Sequence, residues 1–283
     1  MAEEEDPPTI IVDGVEAHLF NDHEFVLCRR WLDIDVSILD GFSLASLNEL
    51  GGKGGERLAF TKDRRFIVKT IQGDDQAALL RMTHVMCERM TKAESLLSKI
   101  VYHFEVREGQ YQGCYFVMNN VLPPVPSSRW SLLMDLKGCR DDKLMAKDGV
   151  RIEEVHKRCC APKNCWYGCD LDCCCCNTTD RRAYYQGKQF SLSTKFPVTP
   201  GAKEVIDRMI TTDCAFLRNV TKTMDYSLIV GVVKCKDSEE QLLPKSVYQQ
   251  QPFLTRTGPN EVTAYFFGII DFLQEWTLFK KVR

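Results

Sequence analysis

Two distant segments of the chain each set a single aspartate against an aliphatic run. They are Met224-Asp225-Tyr226-Ser227-Leu228-Ile229-Val230-Gly231-Val232 and Phe266-Phe267-Gly268-Ile269-Ile270-Asp271-Phe272-Leu273-Gln274. A carboxylate left unpaired at the end of a buried strand is costly. Taken singly, either aspartate can be a turn cap. Taken together they suggest two carboxylates delivered to one place, for which a divalent cation is the usual reason. Mg²⁺ suits such a site, because it takes few protein oxygens and completes its shell with phosphate oxygens and water.

A chain of 283 residues has room for one large domain or for two lobes around a cleft. Its formal net charge of −2 argues against a general nucleic-acid binder. Attraction to an anionic membrane would have to come from a local patch. The start, Met1-Ala2-Glu3-Glu4-Glu5-Asp6-Pro7-Pro8, is acidic with no apolar run behind it, so no secretory signal is read there. No window approaches the ~20 apolar residues of a membrane-spanning helix. The fourteen cysteines are therefore expected as reduced thiols of a cytoplasmic chain.

In chain order, 1–21 reads as an acidic disordered tail. Phe25, Cys28, Trp31 and Leu32 recur at helical spacing. Phe42 to Leu47 alternates like a half-buried strand, Gly51-Gly52-Lys53-Gly54-Gly55 makes a tight turn, and Arg57 to Phe60 returns as a strand. Phe66-Ile67-Val68-Lys69-Thr70-Ile71 is a third strand. Without Cβ atoms the glycine turn can lie over a phosphate chain, although the same glycines could simply supply positive φ in a hairpin. Ile67 and Lys69, two apart, share a face of their strand and offer an apolar surface and a cation beneath the turn. That pairing matches the nucleotide pocket of kinases, where a strand lysine meets the phosphates.

Asp74 to Lys92 carries a helical pattern, and 100–106 with 111–118 form a hairpin. The prolines of Asn119-Asn120-Val121-Leu122-Pro123-Pro124 place a hinge there, since proline does not continue a central strand. Leu132 to Leu136 is a strand that ends at Lys137-Gly138. Lys137 can complement a transferring phosphoryl group, or else pair with Asp135 or Asp141. Residues 151–190 read as a cysteine-rich insertion, 200–220 as an amphipathic helix, 236–262 as mostly turn and loop, and 262–270 as a last strand.

In this order the segments resemble the phosphatidylinositol phosphate kinases. The resemblance rests on Gly52 to Gly55, Arg65 to Ile71, Asn120-Val121, Asp135-Leu136-Lys137-Gly138, Met224 to Leu228 and Ile269 to Gln274. It implies an α+β bilobal kinase-like fold with antiparallel sheets, an N-lobe at 22–122 and a C-lobe at 123–283. It further implies ATP and Mg²⁺, an inositol-lipid substrate, and a peripheral place at anionic membranes, with a homodimer as a further expectation. By resemblance, Lys69 holds ATP phosphates beside Gly52, Lys53, Gly54 and Gly55. Lys137 acts on the transferring phosphoryl group, Asp225 faces the lipid hydroxyl, and Asp271 holds Mg²⁺. Ile67, Val121, Ile229 and Ile270 frame the adenine, and Asn120 at the hinge counts among the ATP-binding residues.

Cys139 stands where the family usually has serine. The chain stops at Lys280-Lys281-Val282-Arg283, where the family continues into an activation loop, so a shortened C-lobe is expected, with Lys280 and Lys281 near a lipid phosphate. The cysteines of the insertion leave three readings open. Cys160, Cys165, Cys169 and one of Cys173, Cys174, Cys175 and Cys176 could hold zinc; the thiols could be acylated; or the insertion could have no site. The expected activity is a phosphatidylinositol phosphate kinase, with phosphatidylinositol 4-phosphate 5-kinase taken as a common branch. A soluble inositol polyphosphate kinase and a non-catalytic scaffold are the alternatives.

Overall fold

The computed structural model describes residues 7–48, 57–92, 94–138, 143–152, 193–237 and 253–275. It has mixed helices and antiparallel strands, an α+β arrangement built on two six-stranded sheets. The first is built from Thr9–Val12 (β1), Val15–Leu19 (β2), Leu58–Phe60 (β3), Phe66–Ile71 (β4), Ile100–Val106 (β5) and Gly113–Asn119 (β6), in the order β1-β2-β5-β6-β4-β3. The second takes the order β11-β12-β10-β7-β8-β9. Its strands are Leu132–Leu136 (β7), Lys143–Lys147 (β8), Val150–Arg151 (β9), Ser227–Lys236 (β10), Phe253–Gly258 (β11) and Glu261–Ile270 (β12).

Helix α1, Asp22–Trp31, buries Phe25, Cys28 and Arg29. Arg29 is satisfied there: it donates to Val101 O and Asp22 Oδ1, both at 2.8 Å, and lies 4.1 Å from the Tyr102 ring centroid. Helix α2, Gly73–Lys92, follows β4 and buries Ala78, Leu79, Met82, Met86 and Met90. Helix α3, Pro200–Phe216, starts as its sequence suggests. Thr199 caps it by accepting from Ala202 N at 3.3 Å, and Pro200 occupies the first turn, where no intrahelical N–H is needed. It runs into a π-turn at Leu217–Thr221 and ends at Lys222, whose φ of 55° reverses the chain. No helix among the described residues is long and apolar enough to cross a membrane.

Three expectations are corrected. The range 1–21 contains a hairpin, because Asp13 and Gly14 both take positive φ, the mirror-image turn that suits twisted strands. Val12, Ala17 and Leu19 then reach the core. Residues 42–47 form no strand; Leu44–Asn48 is a 3-10 turn. Asp13 Oδ2 caps it, accepting from Leu44 N at 2.9 Å and Ser43 Oγ at 3.1 Å, while Phe42, Leu44 and Leu47 bury against the first sheet. Within 236–262, Phe253–Gly258 is an edge strand paired with β12, and its exposed Leu254, Thr257 and half-exposed partners explain why no alternation stood out.

Candidate active site

Register brings the chemistry to one end of the second sheet. In the β10–β12 pair, Ser227 lies opposite Ile270; in the β7–β10 pair, Leu228 lies opposite Leu136. Asp225, Lys137 and Asp271 therefore leave their strands at the same edge. Both aspartates stand in the left-handed region, Asp225 at φ 62° and Asp271 at φ 58°. Aspartate tolerates this conformation better than most residues, and here it turns each carboxylate out of line with its strand.

Two ion pairs result. Lys137 Nζ donates to Asp225 Oδ1 at 2.6 Å and to Asp225 O at 2.7 Å. From the first sheet, Lys69 on β4 donates to Asp271 Oδ1 at 2.9 Å, with its side chain only 11% exposed. The four residues singled out in the sequence thus meet at one seam, with each lysine on an aspartate.

Asp135 belongs to the same place. It sits two residues before Lys137 on β7, opposite Ile229 on one side and Lys143 on the other. Its Oδ1 and Ser227 Oγ are buried without a hydrogen bond of good geometry among the described residues. Burial pushes the Asp135 carboxyl above the usual carboxylate range, and the charge of Asp271 adds to that, while Ser227, Lys143 and Lys137 pull the other way. Asp135 and Asp271 are hard carboxylate donors of the kind a divalent ion takes, and such an ion would favour the charged form of Asp135. Among the described residues no group of three or more His, Cys, Asp and Glu side chains is gathered so as to hold a metal ion.

The link from β6 to the second sheet lies in a trough made by glycine. A Cβ on Gly268 would meet Val121 Cβ at 2.4 Å, and one on Gly231 would meet the Trp130 ring at 2.5 Å and Leu122 Cδ2 at 2.9 Å. Val121 therefore sits directly on β12 over Gly268, whose cross-strand partner is Ile229 and whose same-face neighbour is Ile270. Val121, Ile229 and Ile270 therefore lie on one face of the second sheet. Asn120 accepts from Leu122 N at 3.1 Å and donates to Arg64 O at 3.1 Å, so its side chain shapes the link. Ile67 is half-buried on the face of β4 that carries Lys69.

Gly52, Lys53, Gly54, Gly55, Lys280, Lys281 and Cys160, Cys165, Cys169, Cys173, Cys174, Cys175 and Cys176 lie outside the described residues. Cys28, Cys87, Cys114, Cys214 and Cys235 are free thiols. Sequence reasoning treated Asp135 only as an ion-pair partner, although its period-two relation to Lys137 was the available signal. It also missed the glycine trough, because nothing in a lone sequence says what crosses over a strand glycine.

A family model described as phosphatidylinositol-4-phosphate 5-kinase matches residues 42–261, ending short of Asp271. Among curated proteins, the chain is 26% identical over 217 residues to phosphatidylinositol 4-phosphate 5-kinase 1 of Arabidopsis thaliana. That alignment covers 75% of this chain and 24% of the relative, so the chain spans about a quarter of the relative's length.

Proposed function

This chain belongs to the phosphatidylinositol-4-phosphate 5-kinase family, and from that premise we propose that it transfers the γ-phosphate of ATP to a ring hydroxyl of a membrane phosphoinositide. Phosphatidylinositol 4-phosphate is the substrate and its 5-hydroxyl the acceptor. In this reading the first sheet with α2 is an N-lobe, the second sheet with α3 a C-lobe, and the protein works as a peripheral visitor to the bilayer surface. The observation that carries it is the meeting of Lys69, Lys137, Asp225 and Asp271 at one seam.

Phosphoryl transfer passes through a loose transition state whose charge spreads over equatorial oxygens, so the protein mainly positions and neutralises. Lys69 has the reach and burial to hold α- and β-phosphates. Asp271, with Asp135 beside it, would hold Mg²⁺, which when bound supplies charge neutralisation between phosphates. Lys137, which fixes the Asp225 carboxylate, would complement the charge of the transferring group. Asp225 orients the ring hydroxyl and accepts its proton. Val121, Ile229 and Ile270 form an apolar bed for the base.

Vesicles carrying single phosphoinositides, incubated with labelled ATP and Mg²⁺, test the reading when product isomers are resolved. Label on the 5-position of phosphatidylinositol 4-phosphate is the expected result. Label on another ring position would correct the specificity, and no label on any lipid would overturn the activity.

A further inference from the structure

The geometry points to Arg81 and Glu275 as a positioning pair through which helix α2 sets the placement of both catalytic aspartates. This inference rests on the phosphotransfer reading of the site. Residues Asp271 to Glu275 leave β12 and are gripped at both ends from the first-sheet side. Lys69 takes Asp271, and Arg81 of α2 takes Glu275, Nη2 to Oε1 at 2.5 Å. Between these grips the segment forms a short ladder with the residues preceding Asp225. Met224 N donates to Gln274 O at 2.8 Å, and Thr223 pairs with Glu275 as an isolated antiparallel bridge.

That ladder matters because of the aspartates it flanks. Asp225 follows Met224 directly, and Asp271 lies three residues before Gln274; both are in left-handed conformations. The ladder therefore fixes the peptide that leads into Asp225, and through buried Phe272 and Leu273 it bounds the path of the chain leaving Asp271, whose carboxylate Lys69 holds. Thr223 is firmly held on its other side: it is buried, its N–H donates to Leu217 O at 2.9 Å, and its hydroxyl contacts Thr221. Among the described residues, the Glu275 side chain is held by Arg81.

The pair is partly exposed, at 56% and 34% of the two side chains, so as an ion pair it adds little to folding stability. A structural role alone would leave few traces on removal. A positioning role leaves specific ones. Arg81 rides on α2, which starts immediately after the strand that carries Lys69. A shift of α2 would therefore move Lys69 and the Asp271–Glu275 segment together, tightening or loosening metal and hydroxyl contacts in step.

The test compares wild type, Arg81→Gln, Glu275→Gln and the charge swap Arg81→Glu with Glu275→Arg. Each is assayed on phosphatidylinositol 4-phosphate vesicles across a Mg²⁺ titration and by amide hydrogen exchange at Met224. Both single variants should keep the wild-type melting temperature, exchange faster at Met224 and need more Mg²⁺ for half-maximal rate. Their kcat should fall roughly tenfold, less than the ~10²-fold that a misplacement of about 1 Å can cost. The swap should recover exchange protection and most of kcat. Wild-type Mg²⁺ dependence and exchange in either single variant, or a swap that recovers nothing, would overturn the pair. If wild type transfers no phosphate to any lipid, the phosphotransfer reading fails on its own, and Met224 exchange still decides whether Arg81 and Glu275 hold the ladder.

Discussion

His103 stands on β5 with its ring 4.6 Å from that of Phe20, and neither ring nitrogen has a hydrogen-bond partner among the described residues. Burial pulls its pKa down from 6.5 to about 4. The folded state thus binds fewer protons than the unfolded chain between those values. Stability is full above about pH 6.5 and is lost as pH falls toward 4, by up to about 3 kcal/mol from this one group. Urea midpoints measured from pH 7 to 4 should fall more steeply in wild type than in His103→Phe; parallel profiles would remove His103 from the account. At Asp225 and Asp271 the backbone itself chooses the informative substitution. Asparagine accepts a left-handed φ and alanine does not accept it readily. Asp225→Asn and Asp271→Asn should therefore melt within a few degrees of wild type, yet lose about 10²–10³ in kcat, the usual cost of one preorganised electrostatic contact. Near-wild-type turnover in either would strip that aspartate of its role. The two carboxylates were legible from sequence because an acid abutting an aliphatic run violates core chemistry. Asp135 was less so, since an acid two residues before a lysine also reads as its simple partner.

Elements with a strong period were legible: β4, α2, the β5–β6 hairpin, β7, α3 and β12 lie where apolar spacing puts them. The misses have physical causes. Residues 42–47 alternate, yet Leu44 and Leu47 are also three apart, and the Asp13 cap from a distant turn selects the 3-10 form. Edge strands such as β1 and β11 bury one face only in part, so their pattern is weak. The glycine trough gives the sharpest prediction at this scale. Gly268→Ala should push Val121 off β12, costing about 1–3 kcal/mol as overpacking does and raising KM for ATP severalfold. Gly231→Ala presses instead on Trp130 and Leu122, so it should lower stability with a smaller change in KM. Thermal melts with ATP kinetics on both variants check this; equal KM shifts would mean the adenine does not lie by Val121.

Across the whole molecule, the two sheets are joined by more than the 120–131 connection. Leu96 O accepts from Ile269 N at 2.7 Å, and Ser98 N donates to Ile269 O at 2.9 Å, so the approach to β5 pairs with β12 at Ile269, past the residues of β12 paired with β11 and near Asp271. Beside it, Asp213 of α3 is fully buried. It accepts from Arg89 Nε at 3.0 Å, Ser95 Oγ at 3.0 Å and Leu96 N at 2.6 Å. Asp213→Ala would leave Arg89 uncompensated at this junction and should cost about 3–5 kcal/mol. Denaturant unfolding should show that loss within one cooperative transition; two separated transitions in wild type would mean the sheets are not joined in this way. No sequence pattern announced the junction, because its pairs are far apart in the chain and carry no periodicity. The central claim is that Lys69, Asp225, Lys137 and Asp271 surround one metal–nucleotide complex, and its most direct test is electron paramagnetic resonance of Mn²⁺ with ATP. Wild type should hold Mn²⁺ only when ATP is present, Lys69→Met should lose nucleotide affinity, and Asp271→Asn should bind ATP while releasing the metal. Manganese held without nucleotide, or held equally by Asp271→Asn, would contradict it.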